Sequence, residues 1–160
     1  MNAEHKIGRL LAAQQLTLAT AESCTGGWIA HRLTNVAGSS AYFQGGVIAY
    51  AYEAKERLLD VSHETLVIHG AVSEETAREM ARGARQRLGT DLGLSATGIA
   101  GPGGATPDKP VGLVYIALST PEGEQCQRHV WQGNRLENKK QSAQAALALL
   151  LAYLQGRSGS

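Results

Sequence analysis

The chain alternates between helical and strand patterns of apolar residues. From Ala3 to Gln14, apolar side chains recur every three or four positions, which predicts an amphipathic helix. Leu16 to Ala21 is a short run of apolar and β-branched residues and predicts a strand. A turn of small and hydroxyl-bearing residues follows, and a second helical pattern then continues to about Gly38. This region therefore predicts the order helix, strand, turn, helix.

Residues 42–88 predict one strand followed by helical segments. Tyr42 to Ala51 is rich in aromatic and β-branched residues, and its glycine pair indicates a bulge or a close backbone approach. Short helices are expected around Lys55 and from Ser62 to His69. A longer amphipathic helix begins after Ser73, because serine is a favourable N-cap and two glutamates follow in the first turn.

The remainder predicts three strands and a long helix. Leu92 to Ala96 is a buried strand that leads into a loop rich in glycine and proline, 98–110. Val111 to Thr120 and Glu124 to Trp131 are expected to pair as a hairpin. Asn134, with a glutamate three residues later, is typical of a helix start, and the apolar pattern continues to Gly156.

Alternating helices and strands of this kind predict one three-layer α/β/α sandwich with a mixed sheet. The domain is expected to span residues 1–156, with a disordered tail at 157–160. A hydrophobic content of 43% in 160 residues is enough for a sizeable core. We find no internal repeat and no low-complexity segment.

Composition narrows the function classes. A net charge of +1 gives no electrostatic reason to expect nucleic acid or an anionic membrane as a partner, so a small molecule fits better. No apolar run has the length of a membrane span, and the N-terminus lacks the layout of a signal peptide, so we expect a cytoplasmic protein. Cys24 and Cys126 are expected to be reduced thiols. The five histidines show no metal-ligand spacing, and no metal is predicted.

A serine and a lysine are the candidate catalytic pair. A lysine activates a serine only when it is neutral, and burial beside apolar groups can lower its pKa far enough. Lys55 is the candidate because it follows an apolar strand and lies close to Tyr50. The alternative is a solvated lysine on a short helix, which is the more common case for a lone lysine.

The hydroxyl-bearing segments also have two interpretations. Ser39 or Ser40 can cap a turn, and Ser23 or Thr25 can cap the helix predicted to start at Gly26. A helix start is also suited to a phosphate, a carboxylate or a developing oxyanion. The glycine-rich loop after Thr97 lacks the lysine and hydroxyl residue that end a P-loop, so we exclude a nucleoside triphosphatase. Cys24 is interpreted as a small buried residue, because no histidine lies near it in sequence.

Six ordered segments together resemble the C-terminal domain of the CinA family of competence-damage-inducible proteins. These segments are Thr20–Gly27, Ala37–Ser40, Glu53–Lys55, Gly70–Ser73, Thr97–Gly104 and Lys109–Gly112. The resemblance covers nearly the whole chain. The N-terminal molybdopterin-binding-like domain of longer family members has no counterpart in it.

The resemblance implies an enzyme. The family includes bacterial nicotinamide-nucleotide amidohydrolases, or NMN deamidases, which convert nicotinamide mononucleotide and water to nicotinate mononucleotide and ammonia. It therefore implies a role in pyridine nucleotide recycling, no cofactor, and a homo-oligomer such as a dimer. The alternative is an inactive CinA-like binding or regulatory module linked to competence or DNA repair.

The resemblance also implies site residues. Ser40 matches the nucleophile and Lys55 its general base, while Tyr50 and Thr97 match supporting polar groups. Arg135 matches a basic position that we assign to the nucleotide phosphate. The remaining residues expected to contact substrate are Ser23, Thr25, Gly26 and Gly98. If Ser40 is not the nucleophile, Ser23 is the next candidate.

Two positions depart from the family pattern. Ala51-Tyr52 replaces a Ser-Asn pair between the tyrosine and the lysine, and Asn134 stands where aspartate is common. Neither change removes a predicted catalytic group. Tyr52 is expected to influence the shape of the site.

Overall fold

The computed structural model describes residues 1–159, which form six helices and five strands. The α-helices are α1 Ala3–Gln14, α2 Trp28–Thr34, α3 Tyr52–Leu59, α4 His63–His69, α5 Glu74–Leu88 and α6 Arg135–Ser158. The strands are β1 Leu18–Glu22, β2 Phe43–Ile48, β3 Leu92–Gly98, β4 Leu113–Thr120 and β5 Gly123–Val130, and a short 3-10 helix, Ser39–Ala41, precedes β2.

The strands form one sheet in the order β2-β1-β3-β4-β5. β1 is parallel to both β2 and β3, whereas β3, β4 and β5 pair antiparallel. All five residues of β1 are buried, as expected for a central strand covered on both faces. The mixed sheet and the predicted hairpin are thereby confirmed.

Helices cover both faces of the sheet. Ile7 of α1, Leu33 of α2 and Leu147 of α6 belong to one core cluster, which packs on one face. Leu59 of α3, Leu66 of α4 and Met80 of α5 belong to clusters on the other face. The three-layer α/β/α sandwich predicted from the sequence is therefore confirmed.

Helix α6 is longer than predicted. Its N-cap is Asn134, whose Oδ1 accepts a hydrogen bond from the Glu137 amide at 2.9 Å, so asparagine caps the helix where the family commonly has aspartate. The helix continues to Ser158, two residues beyond the predicted end at Gly156, because the last turn packs against Gln14 of α1. Of the tail predicted to be disordered, 157 and 158 are therefore helical, and Ser160 lies outside the described residues.

The order of the strands in the sheet reverses at β1, which has β2 on one side and β3 on the other. The connection from β1 to β2 passes over one face of the sheet through α2, and the connection from β2 to β3 passes over the other face through α3, α4 and α5. Parallel strands with connections on opposite faces leave a crevice outside their carboxyl ends. Ser23, Ala49 and Ile99 are the first residues beyond the carboxyl ends of β1, β2 and β3, so this crevice is where a site is expected.

Candidate active site

A buried hydrogen bond joins Ser23 and Lys55 at the carboxyl ends of β1 and β2. Lys55 Nζ lies 3.0 Å from Ser23 Oγ, and the lysine is only 1% exposed. The ammonium also donates to the backbone oxygens of Ala49, at 2.8 Å, and Tyr50, at 3.1 Å. The alternative of a solvated surface lysine is therefore excluded by the geometry.

Burial changes the acid–base properties of this lysine. Removal of the ammonium from water lowers the pKa of Lys55 from its usual value of 10.5 to about 8. About a tenth of the amine is then neutral at pH 7. In the neutral form, the two backbone oxygens can take the two N–H groups, which leaves the lone pair directed at Ser23 Oγ.

The structure does not bring Ser40 to this pair, and the predicted Ser40–Lys55 dyad needs correction. Ser40 is exposed in the 3-10 helix that precedes β2, whereas Lys55 follows the opposite end of that strand. Six strand residues separate the two ends by about 20 Å. Ser23, the predicted second candidate, occupies the position that Ser40 was expected to fill.

Glu22 fixes the turn that carries Ser23. Its buried carboxylate accepts hydrogen bonds from Thr25 Oγ1 at 2.6 Å and from the amides of Gly27, Ile29 and Ala30 at 2.9–3.2 Å. This carboxylate, and not the side chain of Ser23 or Thr25, satisfies the first amides of α2. Of the two interpretations of these hydroxyls, capping of α2 is therefore excluded, the helix begins at Trp28 and not at Gly26, and Ser23 Oγ remains available to Lys55.

The turn also presents two backbone amides. Within residues 1–159, the amides of Cys24 and Thr25 donate no hydrogen bond, whereas the Ser23 amide donates to Ala96 O at 3.0 Å. The amide that follows a nucleophilic serine is suited to stabilising an oxyanion on the attacked carbon. Cys24 itself is buried, and burial raises the pKa of its thiol to about 12, so the thiol is not the nucleophile.

Ser23 and Lys55 open into a cavity of about 180 Å³. Its lining contains six of the residues predicted for the site, namely Ser23, Tyr50, Lys55, Thr97, Gly98 and Arg135. Sequence reasoning missed Cys24, Ala71, Val72 and Ala100, which also line it. The volume is below the range of about 300–1,000 Å³ that encloses a whole drug-sized ligand. The cavity therefore suits the reacting end of a substrate.

Thr97 and Arg135 form hydrogen bonds that connect the segments lining the cavity. Thr97 Oγ1 donates to Ala71 O at 2.8 Å, so its proton is already engaged. Arg135 donates to Gly101 O at 2.8 Å and to Tyr50 Oη at 3.1 Å, and thus links the loop after β3 to the residue after β2. A guanidinium has five N–H donors, so three remain for a ligand.

Tyr52 does not enter this cavity. Its hydroxyl accepts a hydrogen bond from the Ala71 amide at 3.2 Å, and its ring lies against a separate depression beside His63 and Val67. The replacement at Ala51-Tyr52 therefore acts on the site only through the position of Ala71.

Thr25 and Gly26 line a second cavity, of about 400 Å³. Its remaining lining residues are Gly27, Trp28, His31 and Lys139. Lys139 was not predicted, although it lies four residues after Arg135 and therefore on the same face of α6. A larger apolar depression beside Trp28 and Trp131 contains no pair of nucleophile and base, so we place the chemistry at Ser23.

Other site types find little support in the described residues. Within 1–159 no three His, Cys, Asp or Glu side chains are grouped so as to hold a metal ion. None of the helices in the same range combines the length and apolar character needed to cross a bilayer.

Comparisons with known proteins agree with the resemblance seen in the sequence. Residues 1–154 match the CinA C-terminal domain model. A CinA-like protein from Chloroherpeton thalassium is 51% identical over 158 residues, which is 96% of this chain and 38% of that protein. Another CinA-like protein, from Gemmatimonas aurantiaca, is 54% identical over 136 residues, or 85% of this chain and 32% of that protein. The chain thus spans between 32% and 38% of the length of these curated relatives.

Solved structures show the same fold over nearly the whole chain. A CinA superfamily protein from Klebsiella pneumoniae superposes with a TM-score of 0.92 at 34% identity, covering 98% of this chain and 99% of that one. One from Escherichia coli gives 0.89 at 33% identity, with 94% and 89% covered. Sequence and structure therefore place the chain in the CinA C-terminal domain family.

Proposed function

We propose that this protein hydrolyses the carboxamide of nicotinamide mononucleotide to nicotinate mononucleotide and ammonia, with Ser23 as nucleophile and Lys55 as general base. The hydrogen bond of 3.0 Å between Lys55 Nζ and Ser23 Oγ in a buried cleft is the observation that carries the proposal. The resemblance to CinA-type amidohydrolases supports the choice of substrate. The neighbouring basic residues Arg135 and Lys139 suit an anionic substrate.

Acylation begins with neutral Lys55. The amine accepts the Ser23 hydroxyl proton as Oγ attacks the carboxamide carbon, and the carbonyl oxygen becomes an oxyanion. The amides of Cys24 and Thr25 are the donors that we assign to this oxyanion. The C–N bond then breaks as Lys55 gives the proton to the leaving nitrogen. Ammonia departs, and the acyl group of the substrate remains bound to Ser23 Oγ as an ester.

Deacylation repeats the proton transfers with water. Neutral Lys55 takes a proton from a water molecule that attacks the ester carbon, and the proton is then returned to Ser23 Oγ as the C–O bond breaks. The product is a carboxylate. The positively charged pyridinium ring already withdraws electrons from the carboxamide, so the attack needs no metal ion to polarise the carbonyl.

The phosphate of the substrate lies outside the small cavity in this proposal. Arg135 is at the cavity lining, and its three unused N–H groups can approach an anion. Gly98 at the end of β3 lines the same wall and allows close approach of the substrate, because it has no side chain.

Ammonia release is the direct test. The purified protein is incubated with nicotinamide mononucleotide, and both ammonia and nicotinate mononucleotide are quantified against a Lys55→Met control. Equal release above background by the two proteins would exclude Lys55 as the base, whereas no release by the wild type above a protein-free blank would overturn the amidase proposal. That second outcome would favour the alternative of a CinA-like binding or regulatory module, for which a folded protein that retains nucleotide binding is expected.

A further inference from the structure

The connection between α4 and α5, residues 70–73, forms one wall of the cavity that contains Ser23 and Lys55. Ala71 and Val72 of this connection line the cavity. Neither residue has a polar side chain, so this wall contacts a substrate through its shape. The position of its backbone therefore decides how closely the reacting end of a substrate fits.

Ala71 is held from two directions by side chains of other elements. Its amide donates to Tyr52 Oη of α3 at 3.2 Å, and its carbonyl oxygen accepts from Thr97 Oγ1 of β3 at 2.8 Å. Within residues 1–159, no other hydrogen bond joins α3 to the 70–73 connection. Without the Tyr52 hydroxyl, this wall would remain hydrogen-bonded to β3 but no longer to the helix that carries Lys55.

The backbone of Gly70 fits the close approach of Tyr52. Its carbonyl oxygen accepts from Ser73 Oγ at 2.9 Å and from Thr76 Oγ1 at 2.7 Å, both at the start of α5. Its φ of +80° lies in the left-handed region that favours glycine. A Cβ at Gly70 would lie 3.9 Å from Tyr52 Oη and 2.9 Å from Lys109 Nζ, so a glycine leaves room for both side chains beside the chain.

The Tyr52 contact is separate from the proposed proton-transfer pair, although both lie on one helix. Tyr52 is the first residue of α3, and Lys55 follows three residues later. The hydrogen-bond partners of the Lys55 amine are Ser23 Oγ and two main-chain oxygens after β2, and none of them belongs to the 70–73 connection. Tyr52 is 52% exposed, so loss of its hydroxyl leaves the core unchanged.

We infer that Tyr52 is a positioning residue, which fixes the Ala71–Val72 wall through the Ala71 amide and thereby sets the fit of the carboxamide end of the substrate. The link to a substrate rests on the proposed function. The inference gives a role to a position at which this chain departs from the family pattern. It also separates two tasks within α3, because Tyr52 acts on substrate binding and Lys55 on proton transfer.

Tyr52→Phe tests this assignment, because it removes the hydroxyl and keeps the ring. Tyr153→Phe is the matched control, since it removes a hydroxyl towards the C-terminal end of α6. The measurements are hydrogen exchange of the Ala71 amide by NMR, and kcat and KM for nicotinamide mononucleotide at several pH values.

We expect exchange at Ala71 to be about twofold to tenfold faster in Tyr52→Phe, the factor that corresponds to the loss of one neutral hydrogen bond. KM should rise by a similar factor because the wall is less well held. The kcat value and the midpoint of its pH profile should stay at their wild-type values, since Lys55 keeps its partners. Tyr153→Phe should match the wild type in every measurement.

Each of several results would overturn the inference. Unchanged exchange at Ala71 would show that the hydroxyl does not hold the wall, and faster exchange with unchanged KM would show a contact without effect on substrate fit. A lower kcat with unchanged KM, or a shifted pH midpoint, would place Tyr52 in proton transfer instead. If the wild type releases no ammonia, the proposed function fails separately, and the exchange rate of Ala71 still decides whether Tyr52 holds this wall.

Discussion

Lys55 Nζ and Ser23 Oγ are 3.0 Å apart although 32 residues separate them in the chain. Ser23 directly follows β1, and Lys55 lies in the first turns of the helix that follows β2. Because β1 and β2 are neighbouring parallel strands, their carboxyl ends bring the two side chains together. The contact between the two side chains thus follows from the parallel pairing of β1 and β2. Its role in catalysis can be tested by replacing either residue.

Loss of either member of the pair should abolish turnover while the domain stays folded. Ser23→Ala and Lys55→Met are each expected to reduce kcat by several orders of magnitude, and the double variant should be little worse, because the two groups act as one unit. Ser40→Ala is the matched control and should keep near-normal turnover, since Ser40 is exposed at the far end of β2. Inactivity of Ser40→Ala with full activity of Ser23→Ala would reverse this assignment.

Activity should increase with pH up to about 8. The base must be neutral, and the pKa of Lys55 is lowered to about 8 by burial. The neutral fraction therefore grows about tenfold per pH unit below that value and then levels off. The measurement is kcat/KM for nicotinamide mononucleotide from pH 5.5 to 9.5, corrected for spontaneous hydrolysis. A rate that declines through pH 7–8 would contradict a lysine base.

The same lysine should make stability depend on pH in the alkaline range. Its pKa is 10.5 in an unfolded chain and about 8 in the folded one, so between these values the unfolded state binds more protons. The free energy of unfolding should therefore rise with pH from 8 to 10.5, by about 3 kcal/mol in total at ~1.4 kcal/mol per pKa unit. Below pH 8 both states are protonated, and the full cost of burying the ammonium is present.

Urea unfolding of the wild type and of Lys55→Met at pH 7, 8, 9 and 10 measures this effect. The difference between the two proteins should shift in favour of the wild type as the pH rises, because methionine does not titrate. Parallel pH profiles for the two proteins would argue against a depressed pKa.

Glu22→Gln should destabilise the Ser23 turn. The Glu22 carboxylate accepts four hydrogen bonds through its two oxygens. In glutamine, an NH₂ group replaces one of these oxygens, so it would face a hydrogen-bond donor and could not accept from it. We expect a loss of about 1.5–3 kcal/mol in the free energy of unfolding, with reduced activity. Glu53→Gln on exposed α3 is the control and should change neither quantity. Equal unfolding midpoints for all three proteins would show that Glu22 does not hold the turn.

Gly83→Ala should destabilise the protein even though alanine is the better helix former. A Cβ at Gly83 of α5 would overlap the backbone oxygen of Leu59, at the end of the helix that carries Lys55. Overpacking of this kind costs about 1–3 kcal/mol, more than the ~1 kcal/mol that alanine gains in helix propensity. Gly156→Ala in α6 meets open space and should be neutral or slightly stabilising. Thermal unfolding of the two variants distinguishes strain at Leu59 from propensity alone.

The fold could be predicted because the spacing of apolar residues indicates, for almost every segment, whether it forms a helix or a strand. β1 is continuously buried, α5 has a serine cap and an acidic first turn, and α6 has its Asn134 cap, and each of these features is visible in the sequence. The bounds of the strands differ from the predicted ones by a few residues. The residues at which a strand begins and ends depend on its hydrogen bonds to the neighbouring strands, and the sequence of one segment does not show these bonds.

The choice of Ser23 as the proposed nucleophile required knowledge of the direction of the strands. Ser40 precedes β2 and Ser23 follows β1, so only Ser23 lies at the edge where parallel strands end. That rule can be applied to the sequence alone, since the apolar pattern predicts both strands. Lys139 could likewise have been found from its spacing to Arg135 on one helix. The packing of α6 against the Ser23 turn, in contrast, is a tertiary relationship that no local pattern indicates.

The contacts that hold Lys55 have a consequence for engineering. Apart from Ser23, its acceptors are the main-chain oxygens of Ala49 and Tyr50, whose positions are set by the path of the chain after β2. Side chains at the mouth, such as those of Tyr50 and Arg135, can therefore be exchanged without removing an acceptor of the amine. Under the proposed function, libraries that vary these mouth positions would test other amide substrates while the proposed Ser23–Lys55 pair stays unchanged.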